Sequence, residues 1–393
     1  MSDVVVIGAG VVGLAAAWAL ASRGVGVTVL DKEPVLGAHA SGRNSGVLHA
    51  GFYYGTDSLK ARLCREGNRR WQALCEADGL PLRRCGKLVV ARDGREGASV
   101  EALVARGASL GVDVRAVGEA EARQIEPRVR THQVALWSPT TATVDPAACL
   151  EALRRRAEAA GARVVLGRGV WGRAEGGVRT NEGVERARVV LNSAGLQADR
   201  VASWWGARGR LRVVPFRGLY LLGSAAAGPL ACCVYPVPEP GMPFLGVHFT
   251  TTVAGGVKIG PTAMPAGWRE QYDGLGGASV GELADVARRQ LHLMWADAGV
   301  RQLAVRELGK LSRRVLVRRA QPLLDGVDPR HYRRWGRPGI RAQLVDEATG
   351  RLVSDFVVRD AEGSVHVLNA VSPGFTCALP FAELLADRVE AQL

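Results

Sequence analysis

The chain has 393 residues, of which 47% are hydrophobic, and it carries a formal net charge of +13. This length and hydrophobic content exclude an intrinsically disordered chain and indicate a packed globular protein of two domains. The seven cysteines form no C-x-x-C pair, so we expect reduced thiols in a cytoplasmic protein and no metal site.

The positive charge is concentrated in arginine clusters within residues 154–156, 313–319 and 330–341. Three interpretations compete: a solvated surface, attraction of an anionic substrate, and peripheral docking on an anionic membrane such as the inner membrane. We expect no nucleic-acid partner, because no known binding motif accompanies the charge. Residues 4–22 and 218–238 lack charged side chains. Glycines or prolines interrupt both segments, so we predict no transmembrane segment.

The N-terminal segment has the pattern of a βαβ unit. The run "VVVIGAGVVG" is a β-branched strand that continues into Gly8, Gly10 and Gly13 with G-x-G-x-x-G spacing. A helical pattern follows, and then a second strand that ends at Asp31. In such a unit the glycines allow a tight turn and a close approach to a pyrophosphate, and the helix N-terminus offers N–H groups to phosphate. Because Asp31 can also accept a hydrogen bond from a ribose hydroxyl, we predict a dinucleotide site.

The segment after Asp31 favours FAD over NAD. The chain does not continue as regular strands and helices but enters "KEPVLGAHASGRNSGVLHAGFYYG", a long loop rich in hydrogen-bond donors. Such a loop suits an extended flavin dinucleotide whose ring must be held along one edge. The loop residues expected to contact the cofactor are Lys32, Ser41, Arg43, Asn44, Ser45 and Gly46.

Two downstream segments are expected to lie against the same flavin. The strand in "ARVVLNSAGLQADRVA" ends near Ala194 and Gly195, where small residues let the chain pass close to the dinucleotide. A later strand, over residues 365–369, enters "VSPGFT", and a helix is expected from about Ala378. The N-terminus of that helix can stabilise the negative charge of a reduced flavin. The residues of this loop assigned to the cofactor are Ser372, Gly374, Phe375 and Thr376.

Two amphipathic helices are predicted outside these segments. The first follows Asp57, a suitable N-cap, and its buried face is expected to comprise Leu59, Leu63, Trp71 and Leu74. The second is "SVGELADVARRQLHLMWADAG", which we expect in a domain that covers the flavin.

These segments resemble the FAD-dependent oxidoreductases of the D-amino-acid-oxidase type, and most closely the L-2-hydroxyglutarate oxidase/dehydrogenase family. Segments carrying the resemblance include "HAGFYY", "CGKLVVA", "VVPFRGLY", "PVPEPGMPFLGVHFT" and "LNAVSPGFTCALP", and the resemblance runs from residue 4 to about residue 390. The expected fold is α/β: a Rossmann-like FAD-binding domain with a mainly antiparallel β-sheet substrate domain. We expect residues 1–80, 145–205 and 340–393 in the FAD-binding domain, and residues 81–144 and 206–339 in the substrate domain.

The resemblance implies oxidation of a 2-hydroxy acid, such as L-2-hydroxyglutarate, to the 2-oxo acid, with FAD accepting a hydride. The hydroxyl proton needs a base that is neutral near pH 7, and the candidates are His49, which could instead anchor the flavin covalently, and His248. The substrate carboxylates need multiple donors, for which arginine is best suited. The candidate donors are Arg217 and Arg341, with Tyr53, Tyr220 and Tyr235.

The sequence leaves other functions open. A flavin-dependent amine or amino-acid oxidase uses the same hydride chemistry on a C–N bond, and an oxidase of a related hydroxy substrate fits equally. A nucleotide-bound interaction protein with a basic surface is a third, non-enzymatic alternative. The electron acceptor, which could be oxygen, a quinone or another protein, is also left open.

Overall fold

A computed structural model describes residues 2–239, 245–274, 276–309 and 312–393. Residues 240–244 of the segment "PVPEPGMPFLGVHFT" therefore lie outside the described residues. The strands, numbered in chain order, are β1 (Ser2–Ile7), β2 (Val27–Leu30), β3 (Val47–Leu48), β4 (Leu82–Arg83), β5 (Lys87–Val90), β6 (Arg115–Gly118), β7 (Val134–Ser138), β8 (Ala142–Val144), β9 (Arg163–Val165), β10 (Val170–Ala174), β11 (Gly177–Thr180), β12 (Gly183–Asn192), β13 (Leu211–Gly218), β14 (Leu221–Leu222), β15 (Cys233–Pro236), β16 (His248–Thr251), β17 (Val257–Gly260), β18 (Met264–Pro265), β19 (Arg334–Trp335), β20 (Gly339–Asp346), β21 (Arg351–Leu352), β22 (Val357–Ala361) and β23 (Ser364–Asn369). The helices are α1 (Val11–Ser22), α2 (Leu59–Ala77), α3 (Gly97–Ser109), α4 (Glu119–Ile125), α5 (Pro146–Ala159), α6 (Ala198–Ser203), α7 (Val280–Ala296), α8 (Ala298–Leu308), α9 (Arg313–Ala320) and α10 (Gly374–Glu390).

A largely parallel sheet forms the first half of the fold. Its central strand β1 pairs in parallel with β2 on one side and with β12 on the other. Strand β9 extends the sheet beyond β2, and β23 pairs in parallel with the end of β12. The carboxyl ends of β1, β2, β12 and β23 therefore meet at one edge, where α/β sheets bind their ligands.

Helix α1 packs against this sheet and is apolar on nearly all sides. It lies between α5 and α10, so most of its side chains are buried and no polar face is needed. Gly13 allows this packing, because a Cβ at this position would overlap with the carbonyl oxygen of Gly8. The predicted βαβ unit of β1, α1 and β2 is confirmed.

The second half of the fold is built on antiparallel sheets. The larger has the strand order β19-β14-β17-β16-β15-β5-β7-β6, and its one parallel pair is β15 with β5. A second sheet has the order β18-β13-β20-β21. The α/β fold class with a mainly antiparallel second part agrees with the prediction. Since β20 pairs with β13, the predicted boundary at residue 340 falls inside this sheet, and the division into domains stays a prediction.

Two predicted helix starts are wrong, although the helices themselves exist. The N-cap of α2 is Ser58, not Asp57, because the Ser58 hydroxyl accepts a hydrogen bond from the Ala61 N–H at 3.1 Å. Helix α10 begins at Gly374 and not near Ala378. Its first turn packs against α2, where a Cβ at Gly67 would overlap with the carbonyl oxygen of Thr376.

Both predicted amphipathic helices are present, but the buried face of the first was predicted only in part. Trp71 and Leu74 are buried on α2 as expected, whereas Leu59 and Leu63 are only partly buried. The second predicted helix is α7. Within the part of the chain that the structure describes, no helix combines the length and the apolar character needed to cross a bilayer.

Candidate active site

A cavity of about 370 Å³ opens at the edge where the parallel strands end. It is bounded by the turn after β1, the loop after β2, the turns after β12 and β23, and the start of β20. Most of the predicted cofactor residues line it: Gly8, Gly10, Asp31, Lys32, Ser41, Arg43, Asn44, Ser45, Ala194, Gly195, Ser372, Gly374, Phe375 and Thr376. The three separated segments identified in the sequence therefore converge on one cavity.

The glycine-rich turn forms one end of the cavity. Gly10 is the N-cap of α1 and offers no side chain, so the helix N-terminus faces the cavity through backbone groups. A Cβ at Gly10 would lie 3.1 Å from the Ser41 Oγ, which itself accepts a hydrogen bond from the Val11 N–H at 3.0 Å. An open helix N-terminus beside a bare backbone is the cradle that a pyrophosphate requires.

Asp31 holds this turn in shape. Its carboxylate accepts hydrogen bonds from the Ala9 N–H at 2.7 Å and from the Glu33 N–H at 2.9 Å. It also lines the cavity, so its assignment to a ribose hydroxyl stays a prediction. Gly13 is the one glycine of the motif that acts through helix packing rather than through the cavity surface.

The loop after β2 is ordered mainly by its own polar contacts. Lys32 forms an ion pair with Glu270, with its Nζ 2.6 Å from Oε2. Arg43 Nε donates to the Ala38 carbonyl oxygen at 2.5 Å, and Asn44 Oδ1 accepts from the Gly46 N–H at 2.8 Å. Lys32, Arg43 and Asn44 line the cavity, whereas Gly46 faces β8, where a Cβ would lie 2.5 Å from the Val144 carbonyl oxygen.

A cluster of polar side chains that was not predicted from the sequence joins the loop after β2 to residues 270–272. His39 Nε2 lies 2.9 Å from Glu33 Oε1, and its Nδ1 lies 3.1 Å from the Tyr272 hydroxyl. Glu33 and Glu270 have lowered pKa values because His39 and Lys32, respectively, hydrogen-bond to them and outweigh the opposing effect of burial. Each acidic group therefore already has a protein partner.

His49 is buried where the cavity meets the cap sheet, the larger antiparallel sheet. Its backbone N–H donates to Thr376 Oγ1 at 3.1 Å, and its carbonyl oxygen accepts from Asn68 Nδ2 at 3.3 Å. Within the described residues, its Nδ1 has no hydrogen-bond partner. Burial lowers the pKa of His49 well below its ordinary value, and the positive charge of Lys87 and the proximity of His248 lower it further. This imidazole is therefore neutral at pH 7 and can accept a proton.

His248 lies behind this cavity wall on β16. Its ring stacks on Tyr235, with centroids 3.7 Å apart, and its Nδ1 is 2.7 Å from the Gly246 carbonyl oxygen, to which it donates. Tyr220 approaches the same imidazole edge-on at 6.4 Å and does line the cavity. Among the described residues, the cavity lining includes His49 but neither His248 nor Tyr235.

Arg217 and Arg341 lie on paired strands but face opposite sides of their sheet. In the β13–β20 register Arg217 pairs with Ile340, and Phe216 pairs with Arg341. Arg217 Nη2 donates to the Tyr272 carbonyl oxygen at 2.9 Å, away from His49. Arg341 lines the cavity, donates through Nη1 to the Thr262 carbonyl oxygen at 3.2 Å, and has its pKa lowered by burial. The cavity lining therefore favours Arg341 as the carboxylate ligand, with Arg217 absent from that lining in the described part of the chain.

Lys87 is the buried charge that sequence reasoning did not select. It is fully buried on β5, and its Nζ lies 4.7 Å from the centroid of the Tyr235 ring. A single lysine in the otherwise apolar run "GKLVVA" is the sequence signal that could have identified it, because lysine is rarely buried without a partner.

The fold and the cavity define a Rossmann-type dinucleotide-binding protein whose cavity lining includes a neutral histidine. The chain belongs to the FAD-dependent oxidoreductase family DAO, whose match covers residues 3–388. This match confirms the predicted class of enzyme and FAD as its cofactor. The residues present fit that cofactor, since the side-chain-free helix N-terminus faces the cavity.

Curated relatives extend over the whole chain. It is 34% identical to "L-2-hydroxyglutarate dehydrogenase, mitochondrial" of Nematostella vectensis, covering 98% of this chain and 90% of the relative. It is 31% identical to "L-2-hydroxyglutarate dehydrogenase" of Salmonella houtenae, covering 100% of this chain and 94% of the relative. These relatives confirm the resemblance identified in the sequence.

Solved structures share the fold at lower identity. L-α-glycerophosphate oxidase from Mycoplasma pneumoniae superposes with a TM-score of 0.79 at 21% identity, over 99% of this chain and 94% of that chain. Glycine oxidase from Geobacillus kaustophilus superposes with a TM-score of 0.74 at 22% identity, over 100% of this chain and 95% of that chain. At these identities the likeness establishes the fold alone.

Proposed function

We propose that this enzyme oxidises L-2-hydroxyglutarate to 2-oxoglutarate. The observation that carries the proposal is the neutral His49, which lines the same cavity as Arg341 and Tyr220. A base and a guanidinium that line one cavity are what the oxidation of a 2-hydroxy acid needs, and the curated relatives carry the name of this reaction.

His49 is the proposed base. FAD, when bound, supplies the two-electron acceptor that takes the hydrogen of the substrate C2 as a hydride. The hydroxyl proton goes to the imidazole of His49, which lines the cavity, whereas its Nδ1 is enclosed by protein and has no hydrogen-bond partner among the described residues. The hydrogen bonds from its backbone to Thr376 and Asn68 fix the main chain that carries the imidazole.

Arg341 is the proposed ligand of a substrate carboxylate. A guanidinium binds a carboxylate through two parallel hydrogen bonds and thereby fixes the orientation of the adjacent C2. Burial raises the pKa of Tyr220, so its hydroxyl stays protonated and can donate a further hydrogen bond. We keep Arg217, His248 and Tyr235 as predicted residues that act from outside the cavity lining.

Anaerobic reduction of the purified yellow holoenzyme tests the proposal. L-2-hydroxyglutarate should bleach the flavin absorbance and yield one equivalent of 2-oxoglutarate per FAD. The D-enantiomer, glycine, a panel of L-amino acids and sn-glycerol 3-phosphate serve as comparison substrates. Faster bleaching by an amino acid would replace the proposal with the amine-oxidase alternative, and no bleaching by any hydroxy acid would refute it.

We further propose a peripheral contact with an anionic membrane, through which a membrane quinone would be the electron acceptor. Helix α7 exposes Val280, Leu291 and Trp295, the last with 80% of its surface accessible. Helix α9, the second helix after α7, carries exposed arginines, including Arg314 and Arg318. Apolar and cationic side chains together favour binding at an anionic interface, where tryptophan is preferred.

Liposome co-sedimentation tests this contact. Binding should require anionic lipid, weaken with salt, and fall in Trp295→Ser. Trp171→Ser is the matched control, because Trp171 is also exposed, at 70%, but lies on β10, outside the α7–α9 segment. Equal binding to zwitterionic and anionic vesicles, or an equal loss in both variants, would remove the membrane proposal. Turnover with oxygen and with a soluble quinone distinguishes the acceptors.

A further inference from the structure

Lys87 is a buried cation without a hydrogen-bonding partner. It lies on β5 and none of its surface is accessible, while within the described residues its Nζ has no acceptor. Burying an ammonium group without an anion is costly, and such groups are retained mainly where they serve a site. The reaction described above assigns no role to Lys87.

Three aromatic rings surround the ammonium group. The Nζ lies 5.4 Å from the ring centroid of Phe52, 5.1 Å from that of Tyr53 and 4.7 Å from that of Tyr235. Their electron-rich faces partly replace the lost water, but they cannot remove the charge. Phe52 and Tyr53 lie three and four residues after His49 in the chain, and Tyr235 stacks on His248. Lys87 therefore connects the loop that carries His49 to the cap sheet.

The titratable groups that face Lys87 are thiols and phenols. The thiols of Cys64 on α2, Cys85 before β5 and Cys233 on β15 raise its pKa electrostatically, and a hydrogen bond with Cys233 lowers the pKa of Cys85 to about 7, so this thiol offsets part of the charge of Lys87. The phenols of Tyr53 and Tyr235 have pKa values raised by burial, so both are neutral at pH 7. Burial lowers the pKa of Lys87 to about 8, so the amine is still mainly protonated at pH 7.

The charge of Lys87 acts on the imidazole of His49. Lys87 and His248 are the two titratable groups that act electrostatically on its imidazole, and both disfavour the imidazolium form. Because His49 is buried, the repulsion from Lys87 is weakly screened.

We propose that Lys87 is a positioning residue for His49: its ammonium, held by Phe52, Tyr53 and Tyr235, keeps the imidazole that lines the cavity unprotonated. The inference rests on the proposed function only in taking His49 as the base. The effect of the buried Lys87 ammonium on the proton affinity of the buried His49 imidazole can be measured without substrate.

Three variants separate charge from packing. Lys87→Met removes the charge while keeping an unbranched side chain, and Lys87→Arg restores a cation at the same position. Lys258→Met is the matched control: Lys258 is a largely buried lysine of the same sheet, with its Nζ 6.0 Å from the Tyr220 ring centroid, and it is not among the groups acting on His49. Lys87→Gln serves if the methionine variant does not fold.

The first measurement is the pH dependence of kcat/KM in the holoenzyme. Activity falls at low pH as His49 becomes protonated, and Lys87→Met should move this acid limb to higher pH by about one unit. The limb should stay near its wild-type position in Lys87→Arg and Lys258→Met. An acid limb within about 0.3 unit of wild type in a folded, FAD-loaded Lys87→Met enzyme would overturn the proposal.

The second measurement does not depend on turnover. Histidines labelled at 13Cε1 are titrated by NMR in the oxidised holoenzyme, with the His49 signal assigned by its loss in His49→Gln. The midpoint should rise by the same amount in Lys87→Met as the kinetic limb. An unchanged midpoint, or an equal rise in Lys87→Arg, refutes control by charge. If wild type fails to oxidise L-2-hydroxyglutarate while the midpoint shifts as stated, the proposed function fails and this inference stands.

Discussion

Replacing the two arginines of the β13–β20 pair separately tests which one binds substrate. Arg341 and Arg217 belong to neighbouring strands, so both substitutions sit in the same sheet and differ mainly in the face that they affect. We expect Arg341→Met to lower kcat/KM strongly and Arg217→Met to leave it within about threefold of wild type, since Arg341 is the one of the two that lines the cavity.

The size of the loss of kcat/KM in Arg341→Met follows from the two hydrogen bonds that a guanidinium donates to a carboxylate. Two charge-assisted hydrogen bonds to a carboxylate contribute about 1.5–3 kcal/mol each, so their removal costs about 3–6 kcal/mol. This corresponds to about 150- to 25,000-fold in kcat/KM. Arg341→Lys keeps the charge but loses the planar fork, so its loss should be smaller. Arg217→Met also loses a hydrogen bond to the Tyr272 carbonyl oxygen, which costs about 1 kcal/mol of stability. Arg341→Met loses the hydrogen bond to the Thr262 carbonyl oxygen and the attraction between Arg341 and Glu307, so it should be the less stable variant.

Stopped-flow reduction with L-2-hydroxyglutarate, together with urea unfolding of each variant, measures both quantities. Where the urea curves show that each variant is fully folded under the assay conditions, a difference in kcat/KM reports on the site and not on the fold. Equal losses of kcat/KM in Arg217→Met and Arg341→Met, or a loss in Arg217→Met alone, would contradict the assignment. The substrate carboxylate would then be assigned to the other face of the sheet.

Three further predictions concern the base, the cofactor cradle and acid stability. His49→Gln should retain FAD and lower the rate of anaerobic flavin reduction by about 10²- to 10⁴-fold; a rate near wild type would exclude it as the base. Gly10→Ala should fold normally but bind FAD more weakly, whereas Gly13→Ala should lower the free energy of unfolding by about 1–3 kcal/mol or more. Fluorescence titration with FAD measures the first effect, and unfolding of the apoprotein measures the second. The same pattern in both variants would contradict the assigned roles. Burial lowers the pKa of His366 from its ordinary 6.5 to about 4. Its contribution to stability is therefore fully present above pH 6.5 and is lost as the pH falls towards 4, by about 3 kcal/mol at most. In urea unfolding, the free energy of unfolding of His366→Asn should decline less with falling pH over that range, and an unchanged slope would refute this.

Local patterns predicted the N-terminal βαβ unit and the segments that line the cavity. The strand, glycine turn and helix at the N-terminus depend on short-range periodicity and on glycine geometry, both of which can be read from the sequence. The errors at Ser58 and Gly374 have local causes as well. Asp57 and Ser58 are both good N-caps, and only the hydrogen bond to Ala61 decides between them. The Pro-Gly pair at 373–374 is typical of a loop, yet here it opens α10.

The substrate half depended on contacts between distant parts of the chain. Strand alternation could not decide whether Arg217 or Arg341 faces the cavity, because the choice is set by the pairing of β13 with β20. The ion pair of Lys32 with Glu270 joins two loops far apart in sequence. Lys87 was overlooked for the same reason, since its aromatic neighbours come from the His49 loop and from β15.

The positive charge around His49 bears on the choice between a hydroxy acid and an amino acid. Arg341 lines the cavity and Lys87 acts electrostatically on His49, so we expect these charges to disfavour a protonated base and to favour an anionic substrate. A 2-hydroxy dicarboxylate gains from both effects, because it brings two negative charges and needs a neutral base. An amino acid brings an ammonium group, which the same charges repel and which must lose a proton before its α-hydrogen can leave as a hydride. The electrostatics of the site therefore favour the dicarboxylate hydroxy acid independently of the names of the relatives.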